Sequence, residues 1–190
     1  MSNFDFEKLD KHFFVTKLAG FEYSKYIQPY TTNKKQNADD IPLIQGKNIK
    51  NGLFIKEYDW YIRKDISDSL KRSTLNKKAI LIPYVGSIGE VGIFDNYETC
   101  HLGSNVAKLE LKDDTYNLEY VKYYLQSPLG QLFLLREKQG SMQQNITMQS
   151  IRNTLIIKRI MNEQNKIVNI LKTLDKKIEI NNKINDNLFI

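Results

Sequence analysis

The spacing of apolar residues changes along the chain, and each change predicts a different element. Residues 1–40 are poorly periodic and end in a polar run, TTNKKQNADD at 31–40, which predicts an exposed loop. Ile41-Pro42-Leu43-Ile44 is an apolar run of strand length ended by Gly46, and the Asn51-Gly52 turn sends the chain back through Leu53-Phe54-Ile55. Residues 64–78 are polar and basic, a loop or short helix. The strongest strand is AILIPYV at 79–85, followed by a Gly86-Ser87-Ile88-Gly89 turn and a partner strand at 91–94. Residues 106–112 alternate, with Ala107, Leu109 and Leu111 on one face and Lys108, Glu110 and Lys112 on the other. That pattern predicts a strand with one wet face.

Beyond residue 116 the period lengthens. NLEYVKYYLQ at 117–126 predicts a helix, and Ser127-Pro128 restarts a second one, serine capping and proline first in the helix. The second helix would carry Leu129, Leu132, Phe133 and Leu135 inward. A polar loop at 141–145 follows, then Thr147 caps a short turn and Leu155-Ile156-Ile157 is strand-like. From residue 162 onward there is no Gly or Pro. Ile160, Gln164, Ile167, Leu171, Leu174, Ile178, Asn181, Asn185 and Leu188 recur at alternating spacings of four and three, the seam of a coiled coil. Asn181 and Asn185 within it would favour one register and one partner at some cost in stability. A C-terminal helix packed on its own domain is the alternative. The expected fold class is α+β: a mixed globular domain over 1–158, then a long helical segment over 159–190.

Composition narrows the class. At 190 residues, with 41% hydrophobic and 11% aromatic content, the chain can build a core and is not disordered. It shows no run of eighteen apolar residues and no signal-peptide pattern. Cys100 is the single cysteine, so no internal disulfide forms, and a reducing cytoplasmic setting is expected. The net charge of +6 is uneven: residues 41–90 hold nine Lys/Arg against five Asp/Glu, and residues 91–133 hold three against six. Two basic stretches flanking an acidic one suit a polyanion that touches part of the surface.

Catalytic tools are sparse. The Gly86, Gly89 and Gly92 spacing fits a hairpin turn better than a phosphate cradle. His12 and His101 are far apart, and adjacent Cys100-His101 is a poor spacing for zinc, so no metal site is expected. No Asn-Pro-Pro-Tyr-like segment is present to methylate a base. Asp95, Glu110 and Lys112 form a weak magnesium-nuclease pattern, for which a solvated charged face is the simpler explanation.

The tail NEQNKIVNILKTLDKKIEINNKINDNL resembles the conserved helical region of the specificity (S) subunits of Type I restriction–modification enzymes. There a Glu-Gln pair opens a helix that continues through a Leu-Asp and a string of asparagines. Ile41-Pro42-Leu43-Ile44 with Gly46-Lys47-Asn48-Ile49 is similar to the family's early strand and lysine-asparagine turn. Ile80 to Val91 resembles its strand–glycine–strand unit, and Leu118 to Leu125 its Tyr/Leu-rich helix. Gly140-Ser141-Met142-Gln143-Gln144-Asn145-Ile146 resembles its glycine-to-glutamine loop. Two departures stand out. Lys158-Arg159-Ile160-Met161 replaces the usual prolines, and with one domain and one helix the chain resembles half of a complete subunit.

The resemblance implies a non-catalytic subunit that reads one part of a bipartite site in double-stranded DNA. It also implies two helices paired antiparallel, docked methyltransferase and restriction subunits, and S-adenosylmethionine on the methyltransferase rather than here. A half-subunit would pair with a copy of itself or with a second half. Lys47, Lys50, Arg63, Lys64, Lys71, Arg72, Lys77 and Lys78 are the candidates for phosphate contact. Asn48, Arg72, Gln143, Gln144 and Asn145 are the candidates for reading base edges. Ile167, Leu171, Leu174, Ile178, Asn181, Asn185 and Leu188 are the candidates for helix pairing. A stand-alone DNA-binding regulator built on the same domain is the second reading, and the nuclease the third.

Overall fold

In the computed structural model the most apolar run of the sequence becomes an inner strand buried on both faces. The structure describes residues 4–95, 98–136 and 145–188. The elements in order are β1 (Phe6–Lys8), α1 (Leu9–His12), β2 (Phe13–Lys17), α2 (Gly20–Glu22), β3 (Ile41–Ile44), β4 (Ile49–Lys50) and β5 (Leu53–Phe54). Then come β6 (Tyr61–Ile62), α3 (Lys64–Ser69), β7 (Thr74–Leu75), β8 (Ala79–Pro83), β9 (Gly92–Phe94), β10 (Cys100–Leu102) and β11 (Val106–Leu111). The chain finishes with α4 (Leu118–Gln126), α5 (Pro128–Leu134), α6 (Met148–Asn153), β12 (Leu155–Ile157) and α7 (Met161–Leu188).

One sheet runs β2-β11-β8-β9, antiparallel throughout. A second runs β6-β3-β10-β7, in which β3 and β10 are parallel. β8 separates two cores. Ile80 and Ile82 pack with Val121, Leu125, Leu134 and Ile151 from the helices, while Ala79 and Leu81 pack with Leu43, Ile44 and Leu102 of the second sheet. A strand covered on both faces must be apolar without interruption, which is why the sequence shows a run there and not an alternation. Each large side chain it buries contributes about 1.5–3 kcal/mol.

The alternation of β11 is real, but its polar face is not wet. Val106 packs in the second core, and Lys108 beside it is only 4% exposed. Its ammonium donates to the Thr74 carbonyl at 2.8 Å and meets Glu110 at 3.1 Å. Only the far end of the strand opens to solvent.

The helix starts follow from their caps. The Asn117 side chain accepts from Glu119 and Tyr120 N–H groups, Ser127 from Gly130, and Thr147 from Ser150. Gly130 is obligatory at the α4–α5 corner, where a Cβ would lie 1.9 Å from the Tyr124 carbonyl. In and just after α5, Leu134 is fully buried and Leu129, Phe133 and Leu135 pack against the core as expected, whereas Leu132, also expected inside, is exposed. The unperiodic N-terminus also contains structure. β1 pairs with β12, β2 pairs with β11, and Leu9 and Phe13 are buried.

Pairing of β1 with β12 brings the chain to the root of α7, where Lys158 N–H donates to the Asp5 carbonyl. α7 has 28 residues and is about 42 Å long. Its Gln164 is fully buried. That amide accepts from Asn117 N–H at 2.7 Å and donates to the Thr115 and Arg159 carbonyls at 2.8 Å each. The expected place of Gln164 in an intermolecular seam is therefore corrected: it anchors the helix to its own domain.

Candidate nucleic-acid interface

Strand directions gather several loops at one end of the domain. Lys17 of β2 pairs with Ala107, and Pro83 of β8 pairs with Val106, so β2 and β8 finish where β11 begins. Leu102 pairs with Ile44, so β3 and β10 finish there too. The loop after β3, the turn after β8 and the turn before β11 therefore share this end. Cross-links hold them together. Gly103 N–H donates to the Ile44 carbonyl at 2.8 Å, Tyr84 N–H to the Asn105 carbonyl at 2.9 Å, and Ile146 N–H to the Tyr84 carbonyl at 2.9 Å. Asn145 bridges Val85, and the Lys17 ammonium lies 4.8 Å from the Tyr84 ring centre. Beside the turn after β8 is a cleft of about 590 Å³ lined by Lys47, Asn48, Lys50, Glu57, Ser87 and Glu90. Two lysines against two glutamates make it a mixed polar surface rather than a uniform cationic funnel.

The structure divides the residues expected to touch DNA. Lys47, Lys50 and Asn145 lie at the loop end, and so do Lys71 and Arg72, which precede β7 and meet α2 through an Arg72–Glu22 pair at 2.7 Å. Arg63 and Lys64 follow β6 at the opposite end of β3, and Lys77 and Lys78 precede β8 at its opposite end. Arg63 pairs with Asp65, Lys64 with Asp68, and Lys78 with Asp95 and Glu119. These four lie at the end of their strands away from those loops. Lys47 is paired too, with Asp59, whereas Lys50 has no ion pair among the described residues. Asn48 is corrected from base reader to structural hinge. It is buried, accepts from Gln45 N–H and donates to the Ile55 and Glu57 carbonyls, leaving no free amide group. Gln143 and Gln144 lie outside the described residues.

α7 presents two neighbouring faces. Gln164 and Val168 are buried against the domain, and further along Asp175 accepts from the Tyr123 hydroxyl at 2.7 Å and meets Lys122 at 3.8 Å. Burial holds the Lys122 ammonium below its usual range, and Asp175 opposes that shift. The next face carries Ile167, Leu174 and Ile178, which are 37%, 49% and 58% exposed. Leu171 sits half-buried on the border, Asn181 and Asn185 are exposed, and Leu188 ends the helix. Ile170 is exposed as well, and the heptad count passed over it.

The residues singled out for catalysis or metal binding have structural surroundings. Asp95 follows β9 and Glu110 lies on β11, two strands separated by β8, and each carboxylate is beside a lysine. Lys112 donates to the Asp10 carbonyl. Among the described residues no group of three or more His, Cys, Asp or Glu could hold a metal ion. Burial pushes the Cys100 thiol up to about 12 and lowers the His101 imidazole. His12 bridges Glu7 and Asp113, at 3.0 Å from each. Among the described residues no helix is long and apolar enough to cross a membrane.

This fold is similar to those of solved S subunits of Type I restriction–modification systems. The chain resembles the S subunit from M. genitalium (TM-score 0.56, 18% identity), covering 94% of this chain and 41% of that one. It also resembles the HsdS subunit from Thermoanaerobacter tengcongensis (TM-score 0.63, 16% identity), covering 94% and 39%. Residues 21–188 match the Type I restriction modification DNA specificity domain, and the chain belongs to that family. The specificity subunit of the Type I restriction enzyme EcoBI from Escherichia coli is 25% identical over 130 residues, 68% of this chain and 27% of that protein. The chain thus spans about a quarter of that relative and two-fifths of the solved subunits.

Proposed function

We propose that this chain reads one half of a bipartite DNA site as a non-catalytic specificity component of a Type I restriction–modification enzyme. The observation that carries this is one family match running through both the loop-bearing domain and the helix. Lys50, Lys71 and Arg72, with Lys47, contact phosphates and set the position of the domain; Asn145 and its loop reach base edges. The exposed face of α7, from Ile167 to Asn185, pairs with a second helix, from a copy of this chain or another half-subunit. Methyltransferase and restriction subunits dock on the assembled pair, and S-adenosylmethionine belongs to the methyltransferase.

Methylation mapping tests this in cells that express the chain with its cognate methyltransferase subunit. The expected result is one methylated bipartite site that disappears when the chain is omitted. Two inverted copies of one half-site would identify a homodimer. Methylation independent of the chain would refute the proposal.

A further inference from the structure

The turn between β10 and β11 displays a side chain with no role in the contacts above. Asn105 has φ +68°, the left-handed region that asparagine tolerates better than most residues with a side chain. Its carbonyl is held by Tyr84 N–H, and the same turn is tied to β3 through Gly103 N–H. The backbone is clamped, yet the residue is exposed and its carboxamide has no hydrogen bond among the described residues. Next to it stands Tyr84, half-buried against the core, with the Lys17 ammonium over its ring. Lys17 meets no carboxylate among the described residues.

The other left-handed asparagine gives the contrast. Asn51 (φ +52°) turns the β4–β5 hairpin with Gly52, whose N–H faces the Glu90 carboxylate at 3.4 Å. A carboxylate there repels phosphate. Beside Asn105 the Tyr84 ring carries the Lys17 ammonium over its face, and a cation is what phosphate requires.

We infer that Asn105 is a base-reading side chain, and this rests on the DNA-reading role proposed above. A carboxamide offers one donor group and one acceptor, which match the N6 and N7 edge of adenine in the major groove. Its short side chain on a clamped turn leaves little freedom to lose on binding. Lys17 supplies the adjoining phosphate contact and Tyr84 the rigid wall between them.

Glycine separates this role from a merely structural one, because it adopts positive φ without cost. Asn105→Gly keeps the turn and removes only the amide. The full chain, wild type and Asn105→Gly, is used to select from a pool of short random-sequence duplexes, and the bound fraction is sequenced. The expected result is that preference for one A·T pair falls by roughly five- to a hundredfold. Other positions keep their preference, and the melting temperature does not drop. An identical motif for both proteins overturns the inference while leaving the DNA-reading role intact. A wild-type chain that enriches no motif overturns that role and the inference with it. If the glycine variant folds poorly, Asn105→Asp decides, since it keeps the shape but cannot donate. Loss of the one preference with the others kept supports the inference, and retention overturns it.

Discussion

The two halves of α7 share one apolar rhythm and have different surroundings. From Met161 to Asp175 the helix is held by its domain: Gln164 bonds three backbone groups, Val168 is buried, Asn165 bonds Asn117, Lys172 pairs with Glu119 and Asp175 reaches Tyr123. From residue 176 to 185 every residue is exposed, and among the described residues the ion pair there is the local Lys183–Glu179. Docking is thus decided by polar hooks at fixed positions and not by the apolar stripe. Thirteen or so residues of free helix, about 20 Å, are marginal in water alone. The outer half keeps its form because the root holds it, and its apolar face stays open.

The sharpest way to break this contrast is to remove the main hook. Gln164→Ala leaves Asn117 N–H and two carbonyls without partners in a buried site, and unsatisfied buried groups cost about 1–3 kcal/mol each. With partial relaxation the loss is about 3 kcal/mol, read as a lower urea midpoint. A change below about 1 kcal/mol would mean the anchor lies elsewhere.

The second test addresses the exposed face, which runs from the held half into the outer one, and should leave stability alone. Leu174→Glu with Ile178→Glu puts two charges on the exposed face, where folding of the single chain loses little. Self-association should weaken about a hundredfold, equivalent to about 2.8 kcal/mol, by sedimentation equilibrium. Wild-type association in the variant would remove helix pairing from this face.

Reading the sequence recovered the elements whose signals are local. Asn117, Ser127 and Thr147 cap the helices that their neighbours promised, and 79–83 is the strand its apolar run required. What stayed hidden depends on partners distant in sequence. Lys108 looks solvated until the second sheet covers it, and β2 shows no clean alternation because its outward Phe14 is as apolar as the buried Phe13 and Val15. Of the candidate site, the basic residues were visible but their division between two ends of the domain was not, since strand order decides it. Asn48 stood out for its turn, and the same turn consumes its amide. The heptad count found the exposed face of α7 and wrongly included Gln164, because a buried amide in a seam and a buried amide in an anchor have the same spacing. Asn105 could have been noticed as a Gly-x-Asn turn before an alternating strand.

The smallest effect concerns the seat beneath the anchor. The Thr115 hydroxyl and N–H hold the Asp113 carboxyl down to about 2, with His12 adding to the effect, and the Thr115 carbonyl is what Gln164 grips. A carboxyl whose folded value lies below its ordinary 3.8 adds stability above that pH and loses it as pH falls toward 2. Asp113 is 42% exposed, so solvent screening leaves a few tenths of a kcal/mol. Urea midpoints of wild type and Asp113→Asn should differ at pH 5 and converge as the acid form takes over near pH 2. High salt should shrink the difference at pH 5 without moving the window. A gap that persists unchanged at the lowest pH would mean that Asp113 stabilises the seat by shape and not by charge. The same titration leaves the outer half of α7 untouched, because among the described residues no hydrogen bond or ion pair joins it to this turn.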